Sequence, residues 1–593
     1  MAHEHGGMIL GERLRARGVR HMFTLCGGHI SPILVGAERA GVEVVDVRDE
    51  VSAVFAADAT ARMTGVPGVA AVTAGPGVTN TMTAVKNAMM AESPLIILGG
   101  ATATILKGRG SLQDIDQMAL MEPVTKWCTT IKTVAQIGPT IDRAMDIATQ
   151  GIPGPVFIEI PVDLLYPEEV VRGWYMSESG VDKMKGPVGA ALKLALTGHL
   201  TKLFHAPHVD LDVLSSVGAS VGVSGGTLLR APIVAAQLAR TSRALASAEK
   251  PVLIIGSQAL VNMTRPEADL LARAVNSLGI PTFLGGGARG LLGRHSDIQF
   301  RHKRGKALKE ADVVVVAGFP FDFRLGYGRK INRDATIISA NLDPEALKKN
   351  RRPEIAAQTH PGRFLIDLER RAVKPRAVWS RWFDTLRERE DARDEEIAEQ
   401  GKHDGELINP VNFFLEMEEV MSDDSVLVVD GGDFVATGAY VLRPRGPLSW
   451  LDPGVFGTLG VGGGFALGAA LCRPGAEVWL IWGDGSSAYS LAEFDTYVRH
   501  GLAPIAVVGT DASWGQIARD QVDLLGTSLG TDLRRTEYHE VARGYGGEGI
   551  LVTSTDEIEG ALARAKELSA AGTPVLINLH LAPSDFRKGS LSM

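Results

Sequence analysis

Along the chain, short runs rich in β-branched apolar residues alternate with longer stretches whose apolar positions recur every three to four residues. The longer period is that of amphipathic helices, and an unbroken apolar run suits a strand covered on both faces. The alternation predicts βαβ units, and hence an α/β fold of doubly wound parallel sheets.

Two parts of the pattern match. Run 68–73 enters the turn Ala74-Gly75-Pro76-Gly77, followed by a helical pattern and run 93–99. Far downstream, run 477–482 enters Gly483-Asp484-Gly485, followed by a helical pattern and run 503–509. Runs 154–160 and 573–579 close the two parts in the same order. Three matches in one order predict two domains of one architecture, at 1–170 and 409–593. A third α/β domain is expected at 231–375, from strand candidates at 252–256, 282–285, 313–318 and 336–340. Residues 171–230 and the strongly charged 376–408 read as linkers.

At 593 residues the chain is too long for one core, in keeping with several domains. A net charge of −8 with scattered basic residues excludes a general attraction to nucleic acid. Cys26, Cys128 and Cys472 form no ligand-spaced pair, which excludes a disulfide framework and a structural zinc and suits a reducing compartment. Residues 1–8 lack the apolar segment of a secretory signal and no apolar run spans a bilayer, so a cytoplasmic location is expected. Residues 186–206 could form an amphipathic helix, either packed on another domain or touching a membrane surface weakly.

In open parallel sheets ligands gather beyond the carboxyl ends of the strands, so the Gly-rich turns draw attention first. In Gly483-Asp484-Gly485-Ser486-Ser487 the glycines allow close backbone approach and the following helix offers N–H groups to phosphate. By itself this also reads as an ordinary turn. Asp511 lies 27 positions after Asp484, beyond a helix and a second strand. Neighbouring parallel strands would bring both carboxylates to one sheet edge, where a divalent cation such as Mg²⁺ would account for them.

This arrangement resembles the thiamine-diphosphate (ThDP) motif, a Gly-Asp-Gly followed by an Asn-Asn pair. The resemblance implies Asp484, Asp511 and the Ser513 carbonyl as Mg²⁺ ligands, with Gly483, Gly485, Ser486, Ser487 and Trp514 around the cofactor. The chain departs from the family at Thr510-Asp511, which adds a negative charge beside the diphosphate. Val429-Asp430-Gly431-Gly432-Asp433-Phe434 resembles the second diphosphate loop, implying contacts from Gly432, Asp433 and Phe434. The segment around Gly457 and Leu459 resembles the one that bends the cofactor. There Leu459 is the apolar wedge and the Gly457 carbonyl accepts from the aminopyrimidine.

The N-terminal domain resembles the family's pyrimidine-binding domain along its length, which makes Glu50 the residue that activates the cofactor. Gly75, Pro76 and Asn80 match the turn beneath the pyrimidine. Gln113 matches a glutamine facing the thiazolium, and His29 reads either as a proton carrier or as a cap of its own Gly-rich loop. The family also implies a homodimer or homotetramer, because its two cofactor-binding domains face each other across subunits.

The whole chain is similar to the acetolactate-synthase-like enzymes, and within them to the 2-hydroxyacyl-CoA lyases. The stretches that carry this lie at 23–32, 284–294, 429–434 and 585–590. They imply cleavage of a 2-hydroxyacyl-CoA thioester to formyl-CoA and an aldehyde or ketone, reversible as a condensation. Arg289, Asp322 and Arg324 are then candidates for gripping CoA in the middle domain, or alternatively surface ion pairs. The alternative enzyme is an acetolactate synthase that condenses 2-oxo acids. Phe321-Asp322-Phe323-Arg324 resembles a flavin-contacting motif of those synthases, but Phe323 replaces its second Asp, so FAD is not expected. A ThDP-fold scaffold without catalysis would have no need of Glu50 and Asp484.

Overall fold

The computed structural model describes residues 5–205, 225–371, 375–402 and 405–588, with backbone alone over 225–231. It divides into two compact units, residues 1–61 with 66–222, and 62–65 with 223–593.

The first unit holds six parallel strands: β1 (His21–Leu25), β2 (Glu43–Asp46), β3 (Gly68–Val72), β4 (Leu95–Ala101), β5 (Trp127–Thr130) and β6 (Val156–Pro161). Their order is β2-β1-β3-β4-β6-β5. β3, β4 and β6 are buried throughout, as unbroken apolar runs require. Helix α1 (Glu50–Thr64) begins where Asp49 Oδ1 accepts from the Val51 N–H at 3.0 Å, satisfying one of the free donors of the first turn. Ala53, Ala56 and Ala57 are fully buried along it, beside the larger Val54 and Phe55. A Cβ on Gly68 would stand 1.9 Å from the Ala57 carbonyl oxygen, which reserves that position for glycine.

In the second unit the middle sheet comprises β7 (Pro251–Ile255), β8 (Thr282–Leu284), β9 (Val313–Ala317), β10 (Thr336–Asn341) and β11 (Ile355–Gln358), in the order β11-β10-β9-β7-β8. Four of these meet the expected runs; β11 is an edge strand with a half-exposed pattern and no such run. The last sheet comprises β12 (Val426–Asp430), β13 (Trp450–Leu451), β14 (Val478–Gly483), β15 (Ile505–Thr510), β16 (Glu548–Val552) and β17 (Val575–His580). Its order, β13-β12-β14-β15-β17-β16, repeats that of the first sheet position for position. The matched runs are β3 and β14, β4 and β15, β6 and β17, so each pair holds the same place in its sheet.

The charged stretch expected as a linker is instead a helix, Ser380–Gly401. Its inward residues Trp382 and Leu386 join the middle core, and Ile397 joins the core of the last sheet. Charges dominate its composition because the rest of its surface faces solvent. Residues 186–206 do form a helix, α2 (Pro187–Phe204). Leu200 packs with Val171 and Tyr175, and Leu196 with Met176, while Val188, Leu192 and Leu194 are exposed. Among the described residues no helix is long and apolar enough to cross a membrane. Residues 206–224, the Gly/Ser/Val-rich part of the expected linker, lie outside the described residues.

Candidate active site

Each of the two matching sheets carries one cluster of the expected residues. In the first unit, Glu50 opens α1 and is 7% exposed. Asn80 Nδ2 donates to its Oε2 at 3.1 Å. Gly75 has φ +65, and a Cβ there would fall 2.9 Å from Gln113 Cβ. Gln113 is itself left-handed, at φ +63, a conformation costly for a residue with a Cβ and therefore held by its surroundings. Pro76 starts the short helix Pro76–Asn80. His29 Nδ1 is 3.3 Å from Thr73 Oγ1 and within hydrogen-bonding reach of Gln113. Burial lowers the His29 pKa below the usual imidazole value. Glu50, Asn80, Gly75, Gln113 and His29 are thus brought to one end of one sheet.

Gln117 was not among the expected residues. Its Oε1 accepts from the Gly75 N–H at 2.9 Å, and its Nε2 donates to the Gly100 carbonyl and to Glu159 Oε2, each at 3.1 Å. Glu159 is buried and also accepts from Lys107 at 2.6 Å. The strained Gly75 turn is therefore fixed by a buried polar network. Its only trace in the sequence is a charged residue inside an apolar strand.

In the second unit, β14 and β15 end side by side, with Gly483 opposite Gly509. That register brings Asp484 and Asp511 together at the sheet edge, as the spacing predicted. Asp484 is 3% exposed. Its Oδ1 accepts from the Gly485 N–H and its Oδ2 from the Ala512 N–H, both at 2.8 Å. Asp511 Oδ1 accepts from the Ser513 N–H at 3.1 Å. Burial, and then Asp511, push the Asp484 carboxyl up to about 7. Burial, and further on Asp433, push Asp511 up to about 6. Among the described residues neither forms an ion pair. A buried and a half-buried carboxylate at neighbouring strand ends, with Asp511 raising the Asp484 carboxyl, are a hard-oxygen donor set that fits a divalent cation.

The glycine turn lies against Trp514, whose ring would sit 2.5 Å from a Cβ on Gly485. Ser486 Oγ donates to the Asp430 carbonyl at 2.6 Å, and Ser487 Oγ to the Asp484 carbonyl at 2.8 Å. The first bond ties the 484–487 turn of helix to the end of β12, and the second lies within the turn itself. Gly432 precedes helix α3 (Asp433–Val441), and Asp433 pairs with Arg519 at 2.5 Å. Phe434, expected among the cofactor contacts, has its ring in the core, 4.6 Å from that of Phe414, and fills the space a side chain at Gly509 would need. Gly457, at φ +66, ends a short helical turn, and Leu459 is partly exposed beyond it.

The sequence reading also missed Asp430. It is fully buried, and its carboxylate accepts from the Gly460 N–H at 3.2 and 3.1 Å and from the Gly462 N–H at 2.8 Å. It anchors the segment just after Leu459 to the end of β12. Of the middle-domain candidates, Asp322 is engaged by Arg324, whose Nε lies 3.1 Å from both carboxylate oxygens. Arg324 also covers the Phe319 ring at 4.8 Å. Arg289 donates to the Ala439 carbonyl at 3.0 Å and covers the Trp450 ring at 5.1 Å.

Comparison with known proteins agrees with this geometry. Residues 4–120 match the thiamine pyrophosphate enzyme N-terminal TPP binding domain, 238–368 the central domain and 430–579 the C-terminal TPP binding domain. The chain is 47% identical to a 2-hydroxyacyl-CoA lyase 2 of Danio rerio, over 99% of this chain and 93% of that protein. It is 46% identical to that of Homo sapiens, over 99% and 92%. A probable acetolactate synthase of Mycobacterium bovis is 34% identical, over 98% and 96%. A thiamine diphosphate-dependent 4-hydroxybenzoylformate decarboxylase of Rhodococcus jostii RHA1 shares the fold, with a TM-score of 0.73 at 20% identity, covering 98% of this chain and 100% of that one. The chain therefore belongs to the thiamine-pyrophosphate enzymes, in the family that holds the 2-hydroxyacyl-CoA lyases, and is a thiamine-diphosphate-dependent lyase.

Proposed function

We propose that the chain cleaves the C1–C2 bond of 2-hydroxyacyl-CoA thioesters, releasing formyl-CoA and an aldehyde or ketone, and that it can run the reverse condensation. The observation that carries this is the identity of 47% over 99% of the chain to a lyase of that name. In the forward direction the substrate hydroxyl gives up its proton, the C1–C2 bond breaks, C2 leaves as a carbonyl and C1 takes up a proton. Bound ThDP supplies the electron sink for that bond cleavage.

The chain's own residues do the rest. Glu50, held by Asn80, would orient the aminopyrimidine and hold its proton. Asp484, Asp511 and the Ser513 carbonyl would hold Mg²⁺. His29, kept neutral near pH 7 by burial, is able to accept the hydroxyl proton. Gln113, locked beside Gly75, would face the reacting carbon. The working form is a homodimer or homotetramer in the cytoplasm.

The test is purified protein with ThDP and Mg²⁺, offered a 2-hydroxyacyl-CoA or pyruvate, with products identified by mass spectrometry. Formyl-CoA with an aldehyde is expected. Acetolactate from pyruvate, with no CoA ester cleaved, would replace this reading with a synthase.

A further inference from the structure

The first half of α2 is apolar and uncovered. Val188 is 64% exposed, Leu194 75% and Leu192 43%, and Ala190, Ala191 and Ala195 are exposed with them. Lys193 is the single charged residue of that half. At about 3.6 residues per turn, Val188, Leu192 and Ala195 lie on one side of the buried stripe Gly189, Leu196, Leu200 and Leu203, and Ala190 and Leu194 lie on the other. A helix end that is apolar on every side suits an apolar surrounding and not water.

The charges around it are of one sign. Lys183, Lys185, Lys193 and Lys202 are exposed, and no Asp or Glu occurs from 183 to 205. Among the described residues none of these four lysines pairs with a carboxylate. The chain as a whole carries a net charge of −8, so this run departs from the rest of the surface. Lysine stems can lie along apolar material while their ammonium groups reach out to an anion. Apolar side chains flanked by lysines are the makeup of a helix that lies in a membrane interface and is drawn to anionic lipid. The same face of a second copy would set lysine against lysine, which disfavours self-association there.

The other half of the helix is fastened to the first unit. Besides the packing of Leu196 and Leu200, His199 Nε2 lies 3.0 Å from Thr104 Oγ1, which donates to Asp163 Oδ2 at 2.6 Å. Thr104 follows β4 and Asp163 follows β6, so the anchor stands at the end of the sheet where the Glu50 cluster lies. The exposed half is therefore a projection with a fixed base.

We propose that the first half of α2 docks the protein on the surface of a bilayer containing anionic lipid. Val188, Leu192 and Leu194 enter the headgroup region, and Lys183, Lys185 and Lys193 meet the lipid phosphates. The docking does not depend on the reaction that the site performs.

The test is flotation of the full chain, loaded with ThDP and Mg²⁺, with vesicles of phosphatidylcholine alone or of phosphatidylcholine mixed with phosphatidylserine. The protein is expected to float with the anionic vesicles and to be partly released as salt is raised. The double variant Leu192→Glu, Leu194→Glu removes no packed side chain and should bind these vesicles roughly tenfold more weakly or worse. The triple variant Lys183→Gln, Lys185→Gln, Lys193→Gln should lose affinity by a similar factor at low ionic strength. Unchanged ThDP affinity and unfolding temperature report that both variants have folded. A wild type that does not float, or a double variant that floats undiminished, would overturn the docking face. Equal flotation with the neutral vesicles would overturn the anionic-lipid assignment. A change of oligomeric state in the double variant, read by light scattering, would assign the face to contact between copies and overturn its assignment to lipid.

Discussion

Asn80 Nδ2 donates to Glu50 Oε2 at 3.1 Å, which holds one oxygen of that carboxylate, while Oε1 lies 3.4 Å from where a Cβ on Gly77 would stand. In the proposed function the proton relay to an aminopyrimidine would fall to Oε1. Glu50→Gln keeps the shape and the Asn80 contact but cannot take a proton. Turnover should fall by roughly 10²–10⁴-fold, with ThDP binding retained. Near-wild-type turnover, in an assay with saturating cofactor, would remove Glu50 from the chemistry.

Much of this was legible before the structure because it depends on local rules. The register that joins Asp484 to Asp511 follows from strand, helix, strand in a parallel sheet, and the order of three apolar runs was enough to pair the two outer domains. What escaped depends on contacts between distant segments. Asp430 and Gln117 are single polar residues whose partners, Gly460 and Gly75, lie 30 and 42 positions away. The charged stretch 376–408 misled because its few inward residues, Trp382, Leu386 and Ile397, are diluted among acids and bases that face water.

Asp511 stands where the family has asparagine, and the consequence can be measured. Asp511→Asn retains a carbonyl oxygen for the metal and removes a half-buried charge that repels Asp484. It should bind ThDP with Mg²⁺ at least as well as wild type. Asp511→Ala removes the ligand and should weaken ThDP binding by roughly tenfold or more. Calorimetric titration settles it: equal ThDP affinity in the wild type and the Ala variant would rule Asp511 out as a ligand.

Gly485 is held to glycine by Trp514 and not by its backbone angles. A methyl at Gly485 would stand 2.5 Å from two atoms of the ring and 2.8 Å from a third, none of them the far end of a flexible chain. The ring, backed by its own turn, has to move. Gly485→Ala should cost about 1–3 kcal/mol of stability and shift Trp514 away from the glycine turn. A lower unfolding temperature together with weaker ThDP binding is expected. An unchanged unfolding temperature would show that the ring yields freely.

Asp430 offers a pH test that needs no cofactor. Burial pushes its carboxyl up to about 7, against the opposing effect of the Gly462 and Gly460 N–H groups, whereas an aspartate in an unfolded chain titrates near ~3.9. The folded value lies above the unfolded one, so between these limits the folded protein holds a proton that the unfolded chain has released. Stability from this group is therefore full below about pH 4 and is lost as pH rises towards 7. Asp430→Asn cannot ionise, and its carbonyl can still accept from Gly462. Relative to wild type, the Asn variant should gain stability as pH rises from 5 to 7.5, read as the difference in unfolding temperature of the two apo proteins. Taking that difference cancels the other groups that titrate in the same range. A difference that stays constant with pH would mean that Asp430 is ionised throughout. The segment holding Gly457 and Leu459 would then be anchored by a full negative charge and not by a carboxyl poised near neutrality.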